Sequence, residues 1–201
     1  QYGHPAAERA AKEGGTDWDY LMQEAAAAPP GANGVLFLPH MSGAGCPVVD
    51  PHSRGAFVGL GAQATRGAML RAIIEGLDYQ FLEIVRAMES GLGIEMEQFV
   101  AVGGSTRNKF WMQNKADVVG RPVELPEIEE ATPLGAAILA GVGVGCYADE
   151  HEALARVYRP GPRFEPDAAL HAQYQEHFAL YNEIYPTLKW LNHQIAGNRK
   201  H

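Results

Sequence analysis

Val100-Ala101-Val102-Gly103-Gly104-Ser105-Thr106-Arg107-Asn108 decides how this chain is read. An apolar run, Phe99 to Val102, ends in two glycines. Two hydroxyl residues follow, and then a segment of helical character, Asn108 to Val119. The pattern predicts a strand, a glycine turn and a helix N-terminus. Paired glycines let a backbone approach a ligand without interference from Cβ. The free N–H groups at the start of a helix favour an anion. The same pattern also describes an ordinary tight strand-to-helix turn, and nine residues alone do not separate the two readings.

The neighbours on the C-terminal side continue an alternation of strand and helix. Pro122-Val123-Glu124-Leu125 predicts a short strand and Glu127 to Glu130 an acidic turn. Ala131-Thr132-Pro133-Leu134-Gly135 opens a small-residue helix, Ala136 to about Val142, with Thr132 as its N-cap and Pro133 in its first turn. Gly141-Val142-Gly143-Val144-Gly145 imitates a dinucleotide fingerprint, but it follows a helix rather than a strand, so it reads as a helix end. From His151 the chain is mostly helical and polar, broken at Arg159-Pro160-Gly161-Pro162. Tyr174, Phe178, Tyr181, Tyr185, Leu188 and Leu191 form a stripe at helical spacing that reads as core packing, with a kink expected at Pro186.

On the N-terminal side, Thr65 to Glu89 predicts a long helix. Its apolar positions are Leu70, Ile73, Ile74, Leu77, Phe81, Ile84, Val85 and Met88. Glu75 and Asp78 are expected at the solvated edge of that stripe. Val35 to Leu38 is an uninterrupted apolar strand, and Gly55 to Leu60 is a second strand. The long loop between them, His40 to Arg54, has a length usually reserved for function or an interface. Thr16-Asp17 predicts the start of a helix to about Ala28, stopped by Pro29-Pro30-Gly31, and Ala6 to Gly15 predicts a more polar helix before it.

Composition bounds the function classes. The chain has 201 residues, 46% hydrophobic and 20% charged, enough for one globular domain with a helical tail. A net charge of −8 argues against nucleic acid or an anionic membrane as the main partner. No apolar run reaches membrane-spanning length. The two cysteines, Cys46 and Cys146, have no zinc or disulfide spacing, and a reducing cytoplasm is the simplest home. There is no Walker-type phosphate loop, no zincin helix and no G-x-S-x-G elbow, and the eight histidines show no ligand spacing. No metal ligands are assigned.

The order of pieces then matters. Gly34-Val35-Leu36-Phe37-Leu38-Pro39-His40-Met41-Ser42-Gly43 comes first, followed by Asp50-Pro51-His52-Ser53-Arg54-Gly55-Ala56-Phe57-Val58-Gly59-Leu60. Arg71-Ala72-Ile73-Ile74-Glu75-Gly76, Val102-Gly103-Gly104-Ser105-Thr106-Arg107-Asn108 and Glu130-Ala131-Thr132-Pro133-Leu134-Gly135-Ala136-Ala137 follow. The series resembles the C-terminal domain of the FGGY family of carbohydrate kinases, from about Asp17 to about Tyr147. One departure is Ala68, where the family signature usually carries a polar residue.

The resemblance implies an α/β fold of the actin-like ATPase, ribonuclease-H-like type, incomplete on its N-terminal side. Residues 1–150 would be the C-terminal nucleotide-binding domain and 151–201 a helical tail packed on it. It implies an ATP-dependent sugar or polyol kinase using Mg2+. Leu36-Phe37-Leu38-Pro39 and Ser42-Gly43 are most similar to the xylulokinase branch. Gly103 and Gly104, with Ser105 beside them, would approach the nucleotide phosphates, and Asn108 the adenine. Leu134-Gly135-Ala136-Ala137 would back the site by close packing, and the His40 to Arg54 loop would face the cleft between two domains. The sugar site and the catalytic Asp lie mainly on the family's N-terminal domain, so no catalytic residue is assigned here. Glu75, Asp78, Asp117 and Glu130 keep structural readings. The chain would then be about the last two-fifths of a kinase of roughly 500 residues. A homodimer stays open as the assembly. The alternative is an actin-like nucleotide-binding module without kinase activity.

Overall fold

A computed structural model describes residues 4–128 and 130–197 of the chain. Helices α1 (His4–Glu13) and α2 (Asp17–Ala27) open it. The antiparallel pair β1 (Leu36–Leu38) and β2 (Ala56–Val58) comes next, then the long helix α3 (Arg66–Leu92). Strand β3 (Phe99–Val100), helix α4 (Lys109–Val119), β4 (Val123–Glu124), α5 (Ala131–Gly143) and α6 (Glu150–Val157) follow. The chain ends with β5 (Arg163–Phe164), α7 (Ala168–Asn182) and α8 (Ile184–Gly197). In the three-stranded sheet β4 lies in the middle, parallel to β3 and antiparallel to β5.

Local sequence chemistry sets several boundaries. Thr16 and Asp19 form a reciprocal capping box at the start of α2, which satisfies two backbone donors there. The Thr65 hydroxyl accepts from the Ala68 backbone N–H at 3.2 Å and opens α3. Ala68 itself is fully buried, so its lack of a polar side chain leaves no gap at the helix start. The C-cap of α3 is Gly93, in the left-handed conformation.

Helix α3 is the axis of the fold. It packs against α2, α4, α7 and β1. At Gly76 the strand comes so close that a Cβ would stand 2.2 Å from the Phe37 carbonyl oxygen. Tyr79 of α3 meets Tyr174 and Tyr181 of α7 with ring centroids 6.2 and 5.4 Å apart. Each aromatic pair adds about 0.5–1.5 kcal/mol beyond its buried area. Leu38, Leu82 and Val118 complete this main core. A smaller cluster, Met112, Ala116 and Val123, seats α4 on the sheet.

The structure departs from the sequence expectations in five places. The buried face of α3 runs Ala68, Arg71, Ala72, Ile74, Glu75, Gly76, Asp78, Tyr79, Leu82 and Val85, so Ile74 and Val85 of the apolar stripe are buried as expected and the rest of the face is offset from it by about one position. Pro186 kinks no helix: α7 ends before it, and Pro186 lies in the first turn of α8, where its missing N–H would have had no helical partner. Helix α5 starts at Ala131, so Thr132 is inside the helix and Glu130 stands at the N-cap without a side-chain cap bond. The polar C-terminal region contains a strand, β5, too short to leave a periodic signal. The aromatic stripe is core as far as Leu188, whereas Leu191 is exposed.

Candidate functional site

Strand β3 delivers the chain to the glycine pair. The Ala101 N–H donates to the Glu124 carbonyl at 2.9 Å, continuing the ladder one residue past β3. Gly103 then takes φ +96° and ψ −177°, a conformation essentially closed to residues with a Cβ. Gly104–Arg107 form a single 3₁₀ turn, pinned where the Thr106 hydroxyl donates to the Gly103 carbonyl at 2.7 Å. Asn108 is extended and caps α4 through Oδ1, which accepts from the Trp111 N–H at 3.2 Å. The expected direct step from glycines to helix is therefore interrupted. One turn and one extended residue separate Gly104 from α4, so the free N–H groups beside the glycines belong to the turn.

The turn borders an open cleft of about 760 Å³. One wall is Gly104, Arg107, Asn108, Lys109 and Phe110, and the other is the start of α2, including Trp18, Asp19, Met22 and Gln23. Of the four residues read from the sequence as nucleotide contacts, Gly104 and Asn108 line the cleft. Gly103 and Ser105 lie on the exposed turn beside it. A Cβ at Gly104 would meet nothing within 4 Å, so its backbone is open to a ligand.

Two residues of this wall were not singled out in the sequence. Arg107 and Lys109 have no hydrogen bond or ion pair among the described residues, in a chain of net charge −8. Their placement on either side of Asn108 was legible; their lack of acidic partners was not, because it depends on what folds opposite. Asp19 is the one carboxylate among the cleft-lining residues. Its Oδ2 accepts from the Thr16 N–H at 2.9 Å and the Thr16 hydroxyl at 2.8 Å. These bonds hold the Asp19 carboxyl below its ordinary range, which leaves it a weak proton acceptor.

Just behind the cleft, α4 enters a buried polar seam, and here the sequence reading of Glu75 and Asp78 is corrected. Both are 1% or less exposed rather than solvated at a stripe edge. Arg71 Nε donates to Glu75 Oε1 at 2.7 Å, and Arg71 also reaches the Ala28 carbonyl and the Tyr174 hydroxyl. The Gly31 N–H adds a bond to Glu75 Oε1 at 3.0 Å. Asp78 accepts from Lys115 Nζ at 2.6 Å, Asn114 Nδ2 at 2.8 Å and Trp111 Nε1 at 3.0 Å. The Tyr174 hydroxyl, 2.7 Å from Asn114 Oδ1, joins the two halves. Burial pushes the Glu75 and Asp78 carboxyls up, while Arg71 and Lys115 pull them back. Asp117 is buried as well and accepts from the Asp167 N–H and Gln113 Nε2, each at 2.9 Å. These acids are perturbed, but their partners are helix–helix ties.

The small-residue helix behaves differently from its expectation. Only Ile138 of α5 is buried, and a Cβ at Gly135 would meet nothing within 4 Å, so the close packing expected at Leu134 to Ala137 is not formed. Helix α5 rests on α6, and much of its remaining surface is open, with Leu139 exposed. The 40–54 loop is tied to α8. Asp50 Oδ2 accepts from the Tyr185 hydroxyl at 2.9 Å and faces His193 Nε2 at 2.8 Å. Among the described residues no group of three or more His, Cys, Asp or Glu could hold a metal ion, and no helix is long and apolar enough to cross a membrane. Cys46 and Cys146 are free and exposed.

The sequence model of the FGGY family of carbohydrate kinases, C-terminal domain, matches residues 3–144. Xylulose kinase of Staphylococcus epidermidis is 32% identical over 174 residues, which are 87% of this chain and 35% of that protein. A glycerol kinase of Solidesulfovibrio magneticus is 40% identical over 148 residues, 74% of this chain and 30% of that protein. The crystal structure of ligand-bound xylulose kinase from Lactobacillus acidophilus superposes with a TM-score of 0.78 at 27% identity, covering 94% of this chain and 38% of that one. The chain thus spans about a third of the length of these relatives, and its fold is the actin-like ATPase, ribonuclease-H-like α/β fold. On the family match and these likenesses together, the chain belongs to the FGGY family of carbohydrate kinases, as part of its C-terminal domain.

Proposed function

We propose that this chain forms the nucleotide-holding wall of an ATP-dependent sugar or polyol kinase. One observation carries the reading. An open glycine turn and two unanswered cations share one wall of a 760 Å³ cleft, in a chain otherwise rich in acid. Gly103 and Gly104 let the phosphates approach the turn, and Ser105 offers a hydroxyl beside them. Arg107 and Lys109 offset charge on the phosphate oxygens. Asn108 spends Oδ1 on its helix cap, which leaves its Nδ2 hydrogens to donate to a ring nitrogen of the base. Bound MgATP would supply the transferable γ-phosphoryl group.

The division of labour follows from what the cleft contains. Its one carboxylate is committed to a helix cap, so the cleft binds and orients. The group that takes the proton from the attacking hydroxyl, and the sugar pocket, belong to the part of FGGY kinases that this chain does not span. Residues 1–150 form the nucleotide-binding part and 151–201 an extension packed on it. Xylulose is the first acceptor to test, from the branch likeness at Leu36 to Pro39 and the name of the S. epidermidis relative. Glycerol is second, from the S. magneticus relative.

ATP titration calorimetry on the chain tests the nucleotide reading. Asn108→Ser keeps a helix cap and removes the amide, so binding should weaken about tenfold with little change in stability. Unchanged affinity in that variant would remove Asn108 from the site. ADP release by the native full-length protein, with xylulose, glycerol and gluconate as acceptors, tests the kinase reading. No release with any polyol or sugar would overturn it.

A further inference from the structure

Only one wall of the cleft is accounted for by the glycine turn. The opposite wall is the first turns of α2, and its feature is Trp18. Trp18 is 49% exposed, so a large part of its ring is open to the cleft. The three tryptophans divide clearly. Trp111 donates its indole N–H to Asp78 at 3.0 Å, and Trp190 stands exposed on α8, away from the cleft. Trp18 lines the cleft, and its indole has no hydrogen bond or ring contact among the described residues. The other aromatic on the cleft, Phe110, is half-buried and already covered by the Arg71 guanidinium at 5.2 Å. A planar apolar face therefore stands free, across from two free cations and one free amide.

We propose that Trp18 is the platform on which the nucleotide base stacks, so that α2 and the glycine turn hold the nucleotide between them. The proposal rests on the nucleotide reading above and extends it to a residue on a separate element. The chemistry is that of a π-face, tolerant of which purine is offered, because every base presents one. Met22, one helical turn further along α2, gives the adjoining apolar floor. Asn108 would then read the edge of the ring whose face Trp18 covers. Arg107 and Lys109 would meet the phosphates. Capping-box bonds between Thr16 and Asp19 fix the start of α2, so Trp18 is presented from an already ordered turn.

Three probes separate the contributions: ATP, adenosine and inorganic tripolyphosphate, each titrated into the native full-length protein by calorimetry and by tryptophan fluorescence. For Trp18→Ala the expected result is a loss of about tenfold to a hundredfold in affinity for ATP and adenosine, with tripolyphosphate affinity changed less than twofold. Trp18→Phe keeps a stacking face and should lose only a few-fold, while abolishing the ligand-induced quenching. Wild-type binding of ATP with undiminished affinity in Trp18→Ala would overturn the platform and leave the nucleotide reading standing. An equal loss for tripolyphosphate would overturn it too, since that marks a general disturbance of the cleft. Absence of ATP binding by the wild-type native full-length protein would overturn both. Trp18 is half-exposed, so both variants should melt within a few degrees of wild type, which circular dichroism checks.

Discussion

Helix α4 passes through two polar environments within two turns. Asn108 and Lys109 at its start face an open cleft; Asn114 and Lys115 further along are locked into a buried seam. Lys109 has no partner among the described residues, whereas Lys115 sits 2.6 Å from a carboxylate that is 0% exposed. The difference separates two uses of charge. In the seam, Arg71 with Glu75 and Lys115 with Asp78 answer each other and join α3, α4 and α7 through Tyr174. In the cleft, charge is left for something outside the chain. Perturbed acids alone would point to the seam, because burial pushes its carboxyls up. Partner accounting chooses the cleft.

The largest test of this comparison is Asp78→Ala. It strips Lys115, Asn114 and Trp111 of a shared acceptor, and stability to urea should fall by about 3–5 kcal/mol. A loss below about 1 kcal/mol would break the idea that the seam is structural. Tyr174→Phe removes the hydroxyl between the two ion pairs and should cost about 1–3 kcal/mol, read from the same denaturation curves. At the boundary, Asn108→Ala loses the cap of α4 and should destabilise by about 0.5–2 kcal/mol as well as weakening ATP, while Asn108→Ser should recover the stability and not the affinity. Within the cleft, Arg107→Ala and Lys109→Ala should leave stability within about 0.5 kcal/mol of wild type and lower ATP affinity, with a shallower dependence on salt.

A tie between a buried carboxylate and a partly exposed histidine gives the smallest and most local effect. His193 and Tyr185 hydrogen-bond Asp50 and hold its carboxyl far below the ordinary range, the His193 bond contributing most. A depressed carboxyl stabilises the fold above its unfolded pKa, about 3.9, and loses that contribution as pH falls through the folded value. The difference in Tm between wild type and Asp50→Asn should therefore be constant from pH 7 to about 5 and shrink below about 4. A gap that instead grows on acidification would mean that Asp50 is not ionised in its tie to α8.

Much of the fold was legible in the chain. The starts of α2 and α3 follow from Thr16, Asp19 and Thr65, which carry their own caps. The order of the glycine turn, long helix and short strands was enough to identify the family resemblance. The buried face of α3 was not legible, because hydropathy excludes Arg71, Glu75 and Asp78 from a core. Their partners arrive from 44 residues away at Gly31 to 103 residues away at Tyr174, or from α4, so only the fold makes burial affordable. For the same reason β5 and the place of Pro186 escaped: two residues of strand have no period, and a proline marks a boundary without saying on which side of it the helix lies.

The candidate site divides the same way. The sequence by itself determined the Gly103-Gly104 turn and a helix beginning beside Asn108, since both are properties of a few consecutive residues and their backbone chemistry. Only the tertiary structure decided that Arg107 and Lys109 have no ion-pair partner among the described residues, that Lys115 does, and that Trp18 of a distant helix faces the same cleft. Caps and turns are local, fixed by neighbours in the chain. Whether a charge is answered or an aromatic face is covered depends on what folding places across from it, and no stretch of sequence carries that alone.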